Sequence, residues 1–177
     1  SVVGLLSLFV SVIPRAVIAP ILIFIGFEIV HQAYRESPPE HSAAVSFSFL
    51  PVIASLVMII LGQFLGAARL DLLPRHLQTL HASLTMLSNG FILTGLLWGS
   101  MLAFLIDRKT HQAAFCAALC GILTLFGVIH SVLPTGALYL PWQAASKAHI
   151  MAAVGYFALT AILLIVCQPG PGKEAPQ

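Results

Sequence analysis

The chain of 177 residues is 59% hydrophobic and 8% charged, with a mean hydropathy of +0.99, whereas soluble domains carry roughly 25% charged side chains. So much apolar surface excludes a water-soluble fold and implies an all-α, polytopic integral membrane protein with the lipid bilayer as its first partner. A net charge of +2, from eight Lys and Arg set singly or in pairs, provides no basic stripe for a phosphate backbone, so nucleic acid is excluded as a partner.

Residues 1–13 begin at Ser1 in an apolar run and lack the basic region and cleavage site of a signal peptide. At 1.5 Å per residue they reach about 20 Å of a hydrocarbon layer roughly 30 Å thick. They therefore read as the tail of a helix that begins outside this sequence. Pro14 opens the next span, 16–34, because an X-Pro step disfavours helix before the proline and suits the first turn after it. Pro20 either caps or kinks that span. Glu28 and His31 lie within its otherwise apolar run, and the polar stretch Arg35 to His41 follows as a loop.

The span 43–68 carries no charge and is long enough to cross with tilt. It contains Pro51, preceded by Ser46 and Ser48, whose hydroxyls are placed to serve a carbonyl freed by the proline. Gly62 and Gly66 form a GxxxG pair suited to a close helix partner. Arg69, Asp71, Pro74 and Arg75 end the span. A short amphipathic piece, 75–83, is expected next, and then a span over 84–106. The small residues Ser88, Gly90, Gly95, Gly99 and Ser100 permit tight packing there, with Asn89 available for an interhelical hydrogen bond. Asp107, Arg108 and Lys109 stop it.

A fifth span is expected over 112–133. Cys116 and Cys120 lie one turn apart in it, as buried packing residues without redox or zinc spacing. Pro134 to Trp142 reads as a loop, with Tyr139 and Trp142 at headgroup level. A sixth span, 148–166, precedes a Pro- and Gly-rich tail, 169–177, expected to be disordered. The reading is a domain over 1–168 with one partial and five complete transmembrane helices. Lys and Arg are balanced between alternating loops, so the positive-inside rule selects no orientation.

A carboxylate near mid-span costs about 3 kcal/mol unless it is neutralised, paired or hydrated. For Glu28, with His31 one turn further on the same face, one reading is a gating or proton-linked pair, since both side chains can exchange protons when their surroundings change. The other is a structural carboxyl that bonds a neighbouring helix or reaches the headgroups. His76 and His81 do not share a helix face and read as interfacial. His130 and His149 close the fifth span and open the sixth, where a polar group costs little, and His41 and His111 flank loops. No GxSxG, HExxH, P-loop or paired-carboxylate arrangement occurs, so no catalytic residue, metal site, cofactor or enzymatic activity is expected.

The segments IPRAVIAPILIFIGFEI from Ile13, SPPEH from Ser37 to His41, SFLP from Ser48 to Pro51, and SNGFILTGLLW from Ser88 together resemble the late helices of the nucleobase:cation symporter-2 superfamily. These are the xanthine/uracil permeases and their guanine/hypoxanthine relatives, and the likeness is to an uncharacterised bacterial branch. It covers roughly residues 1–133.

The resemblance implies two inverted repeats of seven helices, with a substrate-binding core and a mobile gate. Residues 1–13 would end helix eleven, and the next three segments would be gate helices twelve to fourteen. The binding and coupling carboxylates of the family lie on helices eight and ten, upstream of Ser1. No substrate-binding residue is therefore carried over, and Glu28 matches no motif carboxylate. Two helices beyond the fourteenth depart from the family pattern.

The function so implied is that of the C-terminal portion of a secondary-active permease, moving a purine or pyrimidine nucleobase or a similar small solute with a proton or sodium ion. Its implied partners are the missing N-terminal core domain of the same chain, the small-molecule substrate and a second copy in a homodimer. Its implied place is the bacterial inner membrane, with Asp107 to Lys109 and the tail inside. The alternative from another class is a non-transporting scaffold or assembly subunit, whose small-residue faces serve partner helices.

Overall fold

A computed structural model of the chain describes residues 15–65, 72–142 and 146–166. The partial helix 1–13, Gly66 and the tail 169–177 lie outside the described residues. Every described element is helical, and two compact units divide the chain, Ser1–Ser42 and Ala43–Gln177.

In the first unit, α1 (Arg15–Glu36) runs for 22 residues with Pro20 inside it, so the proline neither starts nor ends the helix. Ile21, Leu22, Phe24, Phe27 and Ile29 are exposed around it. Such an all-round apolar surface belongs to a helix solvated by lipid or by other helices.

In the second unit, α2 (Ser42–Ser48) and α3 (Leu50–Leu65) are separated by one turn residue, Phe49. The break precedes Pro51, which lacks an N–H and crowds the preceding turn. The Ser48 hydroxyl donates to the Val45 carbonyl at 2.7 Å. With the 3-10 turn at Pro39–His41, these helices form a 26-residue stretch, Pro39–Phe64, long and apolar enough to cross a membrane.

The next pair, α4 (Arg75–Ser88) and α5 (Phe91–Ile106), is bent by 78° at Asn89 and Gly90. The expected span 84–106 is corrected accordingly. Residues 84–88 continue the amphipathic helix, because Asn89 leaves helical geometry (φ −75°, ψ 121°) and Gly90 is left-handed (φ 72°). Along α4 the hydroxyls of Thr79, Ser83, Thr85 and Ser88 donate to carbonyls one turn back at 2.8–3.0 Å, leaving few open donors for apolar surroundings.

The expected fifth span ends early. The sixth helix, α6 (Thr110–Leu125), has 16 residues, about 24 Å of rise, and Phe126 to Leu133 are outside it. Gly127 (φ 68°) is the cause. Its N–H donates to the Thr124 carbonyl at 3.2 Å, and that of Val128 to Leu123 at 3.0 Å, the paired bonds of a Schellman stop. The end of α5 uses the same motif with Arg108 (φ 59°) in the glycine position: Arg108 N–H donates to Leu105 and Lys109 N–H to Phe104.

The last helix, α7 (Ala148–Val166), supplies a second clear crossing over Ala148–Ile165. Among the described residues, two stretches are thus long and apolar enough to span, or three if the bent α4–α5 pair is one span.

The centre of the second unit is α6, packed on α5 and α7, while α3 packs on α4 and α5. Small residues make this possible: Ala113, Ala114, Cys116, Ala117, Cys120 and Gly121 are all buried on α6. A Cβ at Gly121 would come within 2.9 Å of the Phe157 ring, and one at Gly95 within 2.6 Å of the Ser48 carbonyl oxygen. Close van der Waals packing of this kind is what joins helices in lipid. At Gly62 none of the described residues lies within 4 Å of where its Cβ would be.

Candidate functional site

The chemistry-bearing side chains of the second unit gather where the 126–142 loop meets the α4–α5 break. Because the break removes Asn89 from helix geometry, its side-chain amide is free to work across the chain. Asn89 Nδ2 donates to the Ser131 carbonyl at 2.8 Å and to the Leu133 carbonyl at 2.9 Å, and the Asn89 carbonyl accepts the His130 N–H at 3.1 Å. This is a helix-to-loop tie, not the expected interhelical bond. Gly90 allows the contact: a Cβ there would stand 2.5 Å from the Val128 carbonyl oxygen and 2.8 Å from Ile129 Cα. The loop closes on itself through Ser131 Oγ, which donates to the Ala137 carbonyl at 3.0 Å.

His130, whose N–H joins this tie, also belongs to a row of rings. Phe47 stacks on Trp98 with centroids 5.2 Å apart, His130 lies 6.1 Å from Trp98, and Tyr156 lies 5.7 Å from His130. Trp98 Nε1–H donates to the Tyr156 hydroxyl oxygen at 2.7 Å, so α5 and α7 are tied together. His130 is 7% exposed, its Nδ1 has no hydrogen-bond partner, and its backbone is left-handed (φ 54°). A non-glycine residue in that region is held there by its surroundings at a cost. The loop places His130 outside every helix, and burial pushes its imidazole down to about 4 by disfavouring the charged ring.

A second histidine anchors the other end of the loop. His149 is fully buried against Tyr139 (ring centroids 5.0 Å), with Nδ1 2.8 Å from the Ser146 carbonyl oxygen and Nε2 3.3 Å from that of Pro141. His130 and Tyr139 of the loop and His149 of α7 are all buried within the protein, whereas Trp142 is 77% exposed.

Glu28 and His31 are both exposed on α1, three residues apart, in the first unit. His76 and His111 are exposed, and His81 is half-buried. Cys116 and Cys120 are free, buried thiols. Among the described residues no three His, Cys, Asp or Glu side chains converge as a metal site would require.

The Asn-Gly dipeptide, a strong turn signal, marks the break in the sequence. The burial of His130 has no comparable signal, because its apolar flanks are those of a membrane span as much as of a packed loop. Compared with protein-family models, with curated proteins and with solved structures, the chain matches none.

Proposed function

We propose that the chain is the C-terminal portion of a secondary-active permease that moves a nucleobase or similar small solute with a proton or sodium ion. It corresponds to the gate end of a 7+7 inverted-repeat transporter of the nucleobase:cation symporter-2 type in a bacterial inner membrane. The observation that carries this reading is the 78° break between α4 and α5, tied by Asn89 to a loop. Discontinuous helices whose freed backbone is satisfied inside the protein are a recurrent device of secondary transporters. In this reading Glu28 and His31 are gating or proton-linked candidates, and the substrate-gripping residues belong to the core domain.

Uptake of xanthine, uracil, guanine and hypoxanthine by cells expressing the intact protein, under proton and sodium gradients, tests it. Accumulation of one of them supports the assignment, and no accumulation under either gradient removes the nucleobase. The second reading, a non-transporting scaffold, draws on Gly62: a glycine with none of the described residues within 4 Å of where its Cβ would be suits a partner helix. A Gly62→Leu variant that loses a co-purifying membrane partner while uptake is absent in the parent favours the scaffold.

A further inference from the structure

We propose that His130 is a proton-coupling residue: it holds the 126–142 loop closed on the α4–α5 break when neutral and releases it on binding a proton. The inference deepens the permease reading, on which its transport consequence rests, and names the coupling ion.

The geometry carries it. The ring of His130 is enclosed between Trp98 of α5 and Tyr156 of α7, and Nδ1 has no acceptor or donor. Among the described residues the ionisable groups on this side are Tyr156, which faces the ring and is bonded to Trp98 Nε1–H, and Cys120 of α6 beside Tyr156, while Tyr139 of the loop pairs with His149 of α7. Burial is what disfavours the charged His130 ring. A neutral ring fits this slot, while an imidazolium would be enclosed without an anion.

The proton taken from water therefore binds better when the ring reaches water, and binding pulls the equilibrium towards that state. The same residue's N–H is bonded to the Asn89 carbonyl, and its left-handed backbone relaxes on leaving. Moving His130 thus loosens the tie on the helix break itself. The sign follows from linkage. The folded imidazole titrates lower than its ordinary 6.5, so the closed loop is fully stable above 6.5 and loses stability as pH falls towards about 4.

Trp98 reports this directly. In the intact protein carrying Trp142→Phe, so that the described residues retain Trp98 as their indole, emission is titrated from about pH 8 to about pH 4. A transition is expected below pH 6.5. It should vanish in His130→Asn, which tolerates the left-handed backbone, and in His130→Gly, and it should persist in His149→Asn. Hydrogen exchange of amides 127–133, corrected for pH, should accelerate across the same transition.

A flat titration of the parent, or a transition that survives both His130 variants, overturns the proton site. For coupling, proton-driven uptake should fall about tenfold or more in His130→Asn. Sodium-driven uptake indifferent to that change overturns the coupling role and leaves the permease reading standing. Absence of any uptake removes the permease reading, and the fluorescence result still decides the proton site.

Discussion

Glu28 and His130 are both ionisable residues in apolar stretches, and the two regions that hold them treat them differently. On α1 the carboxylate stands on an exposed surface among exposed Ile and Phe. In the second unit the imidazole is enclosed by rings from two helices and by a loop tied to a helix break. An exposed group keeps the chemistry of its surroundings, whereas an enclosed one acquires a state that depends on conformation. The second is what a conformational switch requires.

The comparison can be broken most severely at the glycine that lets loop and break touch. Gly90→Val places a side chain against the Val128 carbonyl and Ile129 Cα in a left-handed backbone. It should cost about 3 kcal/mol or more, read as a large fall in the thermal unfolding midpoint in detergent. A midpoint like the parent's would mean that the loop does not pack there.

Asn89→Ala removes both side-chain bonds to the loop and leaves the Leu133 carbonyl with only the Gly136 N–H, for a loss of about 2 kcal/mol. Protease cleavage within 126–142 should rise with it. Tyr156→Phe keeps the ring beside His130 but deletes the acceptor of Trp98 Nε1–H. A loss of about 1 kcal/mol is expected, with a shift in Trp98 emission; emission identical to the parent's would contradict the bond. Arg108→Gly should stabilise by up to about 1 kcal/mol, since glycine adopts φ 59° without the steric cost an arginine bears.

The smallest effect on stability sharpens the contrast. Glu28→Gln, on the exposed helix, should leave the unfolding midpoint and the Trp98 titration unchanged. If Glu28 lines the gate, the variant should alter the pH dependence of transport. An unchanged transport profile assigns that carboxylate a structural place.

What could be read from residue order alone follows the same division. An apolar run bounded by a lysine and by a Pro- and Gly-rich segment marks α7, because its ends are chemical. The ends of α4 and α6 are conformational, set by Asn89, Gly90 and Gly127 within continuous apolar sequence, so hydropathy passes over them. The small residues of α5 and α6 announce close packing without naming the partner: Gly95 and Gly99 meet Ser48 of α2, and Gly121 meets Phe157 of α7. The row Phe47, Trp98, His130 and Tyr156 comes from three helices and a loop, so no window of sequence contains it.

The tie at Asn89 has a consequence for how this protein can vary. Asn89 grips main-chain oxygens only, those of Ser131 and Leu133, and every amino acid presents the same oxygen. The joint is blind to side-chain identity on its loop side. Val132 and Leu133 are therefore open to exchange by drift or by design without loosening the hinge, whereas the single amide at position 89 has no substitute of equal reach.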